Sequence, residues 1–195
     1  MKRLAVLAAT SAVLAALATP AQAMEYKFRV YGAAAYVVPV ADSDFGSVST
    51  EAAETLGWEI GVEWKPTNLL GVELAYLNAK PEIEQTGTTV GEISLEPINL
   101  SANFHLIRMK ILTFWVGPTV SYANWGNLEL SGGGDINTDS EFAYGASAGV
   151  NVSLIKLLAL QAGVRWLKLD VSDSVTGETL DVDPFFVNLG LALRF

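Results

Sequence analysis

Acid–base chemistry in this chain would have to pass through His105, its only histidine. Ser101 is the nearest candidate nucleophile on the same side of an extended segment. Four residues at ~3.3 Å each put the two ~13 Å apart, beyond the hydrogen bond that a catalytic serine and its base share. The chain has no cysteine, which removes thiolate nucleophiles, disulfides and thiolate metal ligands together. Its carboxylates and single imidazole do not fall into a metal-ligand spacing either. No catalytic residue, metal ion or cofactor is expected.

A different set of charges is more informative. Arg29, Glu59, Glu63, Lys65, Glu73 and Arg165 stand in segments otherwise made of apolar and small residues. A charge drawn into such surroundings must meet an opposite charge. Glu59, Glu63 and Glu73 are therefore expected to form one network with Arg29, Lys65 and Arg165.

The segments that carry these residues alternate with a period of two. Over 56–66, Leu56, Trp58, Ile60, Val62 and Trp64 share one face, and Gly57, Glu59, Gly61, Glu63 and Lys65 the other. A helix would scatter these residues, whereas a strand separates them. Residues 142–154 and 185–195 repeat the pattern. Residues 26–38, 69–79, 93–106, 111–123 and 158–171 follow it less purely. Eight strands are expected.

The connections alternate in length. Residues 66–68, 107–110 and 155–157 are tight turns. Residues 39–55, 80–92, 124–140 and 172–183 are long and polar. Short turns on the periplasmic side and long loops outside are the pattern of an outer-membrane barrel. All of the chain's acids lie in the long loops or their flanks except Glu25, Glu59, Glu63 and Glu73. Arg108, Lys110 and Lys156 lie in the tight turns, so the two rims differ in sign.

The first 23 residues read as a secretory leader. Lys2 and Arg3 precede an apolar run over 4–17, and Ala21-Gln22-Ala23 offers a small-x-small cleavage pattern, placing the mature start at Met24. The run is shorter than the ~20 residues a membrane-spanning helix needs. Residues 24–195 then form a single domain, exported by the general secretory route. Loss of Lys2 and Arg3 moves the formal charge from −9 to −11, which excludes nucleic acid as a partner.

A soluble eight-stranded barrel such as a lipocalin would show the same alternation. Three features favour lipid around the bulky face. The opposite face is too rich in glycine and too charged to coat a soluble protein. Aromatics fall near both strand ends, as interfacial girdles would. One belt holds Phe28, Trp64, Phe104, Phe114 and Phe195, and the other Trp58, Tyr76, Tyr122, Phe142, Trp166 and Phe185. The chain also stops on Phe195, on the outward face. The expected fold is all-β: an eight-stranded antiparallel up-and-down transmembrane barrel in the bacterial outer membrane. A deacylase on such a barrel would need its Ser/His pair near the outer leaflet. His105 instead falls at the periplasmic end, two residues before a turn.

Several stretches resemble the OmpW family: RVYGAAAYVVP from Arg29, LGVELAYL from Leu70, LEPINLSANFHL from Leu95, WVGPTVSY from Trp115, and residues 142–170. Together they cover most of the mature chain. Where the family carries proline-phenylalanine after its third strand, this chain has Asn78-Ala79-Lys80-Pro81. The terminal strand ending in Phe195 looks like the assembly signal read by the barrel-insertion machinery, with periplasmic chaperones as transit partners. The resemblance implies a narrow hydrophobic channel for passive uptake of small hydrophobic molecules.

The inward face divides by height. Lys27, Arg29, Glu63, Lys65, Glu73, Asn99, Asn103, His105, Gln161, Asn188 and Arg194 lie toward the periplasm, with Glu59 and Arg165 near mid-height. Val37, Leu77, Ile93, Leu95, Leu167, Leu169 and Phe186 lie toward the outside. Eight strands leave an interior that side chains alone fill, so the lower set is expected to plug the barrel. The upper set either accepts a small apolar ligand or packs beneath the loops. Pro97 has no amide donor and should weaken the ladder beside it, opening a sideways exit into lipid. The alternative function is surface interaction through the acidic loops, by adhesion or by contact with a host factor or lipopolysaccharide. A closed barrel has no free edges, so a monomer in outer-membrane lipid is expected.

Overall fold

The computed structural model describes residues 26–39, 43–45, 48–85, 88–109, 111–126, 128–130, 135–136, 140–172, 179–181 and 183–195. The leader and the start at Met24 lie outside them. Eight long strands form the barrel: β1 (Phe28–Val38), β4 (Thr55–Trp64), β5 (Leu70–Asn78), β8 (Leu95–Arg108), β9 (Leu112–Trp125), β12 (Glu141–Ser153), β13 (Leu158–Lys168) and β16 (Phe185–Arg194). They close in the order β1-β16-β13-β12-β9-β8-β5-β4, each antiparallel to its neighbours in the chain. Closure runs from Arg29↔Arg194 to Val38↔Phe185, and the Phe195 amide donates to the Phe28 carbonyl at 2.8 Å. No barrel edge is left to pair.

The alternation decides which residues face where. Along β1 the odd positions from Arg29 to Val37 are buried, and Phe28, Val30 and Tyr36 are exposed. The exposed face of the barrel is apolar: Ile60, Val62, Leu74, Leu100, Val120, Leu189 and Leu191 stand outward and the charges inward. This is the inverse of a soluble barrel and suits only a hydrocarbon surround. Both aromatic belts lie on this outward face, with Trp58 against Tyr76 and Tyr122 against Phe142 at ring separations of 5.6 and 5.1 Å. Strands β8 and β9 have 14 residues each, more than the ~9–11 that cross hydrocarbon, so they extend past the membrane.

The structure corrects three sequence expectations. The long connections are not simply polar loops. Eight further strands lie in them: β2 (Ser43–Phe45), β3 (Val48–Ala52), β6 (Glu82–Gln85), β7 (Thr88–Glu92), β10 (Leu128–Leu130), β11 (Asp135–Ile136), β14 (Asp170–Ser172) and β15 (Thr179–Asp181). Six of them form one sheet, ordered β11-β10-β7-β6-β3-β2, and β14 pairs with β15. Excursions of 12 to 17 residues are long enough to satisfy their own backbone groups, and β-branched Thr88, Thr89 and Val90 suit β7. Secondly, the turn expected over 107–110 begins later. Ile107 and Arg108 still pair with Phe114 and Thr113, after a register shift between His105 and Ile107 that inserts one extra residue. Thirdly, Lys27 precedes β1 and is exposed, so it is not part of the interior.

Candidate functional site

The interior is layered. In the periplasmic half, β1, β4, β5 and β13, with Lys65 just past the end of β4, bring Arg29, Glu59, Glu63, Lys65, Glu73 and Arg165 into one cluster. Glu73 sits between the two guanidinium groups, with Arg29 Nη2 at 2.7 Å and Arg165 Nη2 at 3.2 Å. Arg29 Nε also reaches Glu63 at 3.1 Å, and Arg165 Nη1 reaches Glu59 at 2.7 Å. Lys65 lies 3.5 Å from Glu63 and donates to the Tyr26 hydroxyl at 2.7 Å. Three carboxylates face three cations, and none of the six side chains is more than 3 % exposed. Charges so far from water persist only when paired in this manner.

Neutral side chains complete the layer. Asn151 accepts from Arg29 Nη1 at 2.6 Å, Asn103 donates to Glu73 at 3.2 Å, and His105 Nε2 lies 2.9 Å from Glu63. Ser101 instead pairs with Thr119 at 2.8 Å, so serine and imidazole have separate partners. Arg194 donates to Ser153 and to the Ile155 carbonyl at the periplasmic rim, with Tyr26 beneath its guanidinium.

Two aromatics in this layer went unassigned in the sequence. The Tyr31 hydroxyl donates to Glu59 at 2.6 Å and lies 3.2 Å from Glu73, joining the two ends of the network. Its ring lies over Gly61, where any Cβ would collide with it. Trp115 is buried over Gly149 in the same way. The available signal was strand parity: Tyr31 is two residues from Arg29, and Trp115 is two from Gly117. A bulky inward side chain in so narrow a barrel needs a glycine opposite.

Above this layer the chemistry changes. Val37, Leu77, Ile93, Leu95, Leu167, Leu169 and Phe186 form one buried cluster with Ala35, Ala79, Ala123 and Ala143. Ile83 packs against it from β6. Phe195, by contrast, stands outward at the periplasmic end of β16.

The wall beside the apolar layer is closed but lacks one ladder bond. The β5–β8 ladder runs from Leu70↔Phe104 to Tyr76↔Ile98 and stops. It resumes only at Ala79 and Leu95, which exchange hydrogen bonds of 3.0 and 2.9 Å. The next pair to exchange bonds in that register is Leu77 with Pro97. Pro97 has no N–H, so the Leu77 carbonyl receives nothing from it. On the outer side of the gap, the Asn78 amide donates to Glu96 at 2.9 Å. An apolar hollow of about 380 Å³, lined by Val30, Ile60, Val62, Leu74, Tyr76 and Ile98, lies on the membrane-facing wall beside Tyr76 and Ile98.

Residues 9–195 match the family described as the outer membrane protein beta-barrel domain. The fold is similar to the crystal structure of OprG from Pseudomonas aeruginosa, with a TM-score of 0.76 at 16% identity, covering 87% of this chain and 96% of that one. It is also similar to Neisserial surface protein A (TM-score 0.66, 19% identity, 86% and 97% covered). The solution structure of Escherichia coli outer membrane protein W gives 0.56 at 18% identity, with 87% and 98% covered. The resemblance to the OmpW family is consistent with these matches. No curated protein matches the chain.

Proposed function

The chain belongs to the outer membrane protein beta-barrel domain family of the bacterial outer membrane, and from that premise we propose that it is a passive uptake route for small hydrophobic molecules. A solute enters from the extracellular side into the apolar layer of Val37, Leu77, Ile93, Leu95, Leu167, Leu169 and Phe186. It leaves sideways into the membrane between β5 and β8, beside Pro97. The observation that carries this reading is the missing ladder bond at Leu77 and Pro97, at the height of the apolar layer and above the charge cluster. The charged layer closes the periplasmic end, because passage through it would unpair buried ions. The barrel acts as a monomer in outer-membrane lipid, and Phe195 serves its insertion.

A cross-strand lock tests the exit. Asn78→Cys with Glu96→Cys places two thiols across the gap, on side chains that already touch. Oxidation should stop entry of an apolar solute, and reduction should restore it. Unchanged entry in the oxidised protein would remove the lateral route, as would normal transport by Pro97→Val.

One observation favours a second reading, contact with lipopolysaccharide through divalent cations or with a host factor. The strand register sets the exposed Glu82 opposite the exposed Glu92. Like charges in register are costly without a partner. Deleting the β6–β7 and β10–β11 hairpins should abolish surface contact and leave solute entry in place.

A further inference from the structure

We infer that the solute is a small amphiphile, carrying one neutral hydrogen-bonding group that docks on Asn99 and Ser121 at the seam between the two lumenal layers. The inference rests on the uptake reading above and names its substrate class. Asn99 on β8 and Ser121 on β9 stand directly opposite each other. Ala75 flanks Asn99 on β5, and Ala143 flanks Ser121 on β12. The row is thus two alanines enclosing an amide and a hydroxyl.

Asn99 and Ser121 are 1 % and 2 % exposed. Among the described residues, neither amide atom of Asn99 and not the Ser121 hydroxyl has a hydrogen-bond partner. The row below differs, because Ser101, Thr119 and Ser147 are linked at 2.8 and 3.1 Å. Buried polar groups are nearly always partnered, so an inward amide with both atoms free marks a place for something that supplies a donor and an acceptor. Two residues further along their strands, Ala75 leads to Leu77 and Ser121 to Ala123, both in the apolar cluster. Two residues along a strand is ~6.6 Å, the length of a short alkyl segment.

The arrangement therefore fits an apolar body among the leucines with its polar end on the amide. An alcohol, a carbonyl or an amide meets the donor–acceptor demand. An ion does not, because the charges below already balance one another and Asn99 and Ser121 carry none. An alkane of equal length fills the apolar layer without using the pair.

The test uses the full mature protein refolded in lipid nanodiscs with ¹⁵N-labelled asparagine side chains, titrated with 1-octanol and with n-octane. The Asn99 resonance is identified by its loss in Asn99→Leu. Octanol should shift that resonance and octane should not. Asn99→Leu should weaken octanol binding about tenfold, the value of one hydrogen bond, and leave octane binding unchanged. Ser121→Ala gives the same readout in a protein that keeps the amide, should Asn99→Leu fail to fold. Octanol binding without a shift at Asn99, or equal weakening for both ligands, would overturn the inference and leave the uptake reading standing. Binding of neither ligand by the wild-type protein would overturn both.

Discussion

The two halves of the lumen fill the same narrow cylinder by opposite means. The periplasmic half holds long ionic side chains that touch through directed bonds, so its order depends on chemical identity. The extracellular half holds aliphatic side chains that touch through surface, so its order depends on volume. The boundary falls within single strands: β5 carries Glu73 and Leu77 four residues apart, and β13 carries Arg165 and Leu167 only two apart. An ionic layer opens only by leaving buried charges unpaired, while an apolar layer exchanges one apolar neighbour for another. On the uptake reading, the same barrel is shut at one end and receptive at the other.

Two substitutions of similar bulk should separate the layers most sharply. Glu73→Leu removes the carboxylate between Arg29 and Arg165 and leaves three buried cations facing only Glu59 and Glu63, so unfolding in urea should lose ~3–5 kcal/mol. Leu167→Met conserves volume among apolar neighbours and should cost less than ~1.5 kcal/mol. Equal losses in the two variants would mean that both layers are held by packing alone.

The comparison also shows what the sequence made legible. Period-two alternation separates faces, so it assigned Arg29, Glu59, Glu63, Lys65, Glu73 and Arg165 to one side of the wall and Trp58, Ile60 and Val62 to the other. Alternating connection length supplied the up-and-down order. Tyr31 and Trp115 share the parity of the inward residues, but the glycine that makes room for each lies on a neighbouring strand, which alternation within one strand does not show. The strands β2, β3, β6, β7, β10, β11, β14 and β15 were not legible for a different reason. Segments of two to five residues are too short for a periodic signal, and they form by pairing with one another across separate connections. The break at Pro97 was readable from residue type alone, since proline cannot donate. Its position beside the apolar layer came from the register.

The uptake account is tested most directly in vesicles whose outer leaflet is lipopolysaccharide, containing the refolded mature protein. Entry of a small apolar dye is compared with that of glycerol, in the wild type and in the Leu167→Glu, Leu169→Glu double variant. The account predicts that the dye enters and glycerol does not, and that the double variant, folded, stops the dye by placing two carboxylates in the apolar layer. Exclusion of both solutes by folded wild-type protein, or undiminished dye entry in the double variant, would contradict it.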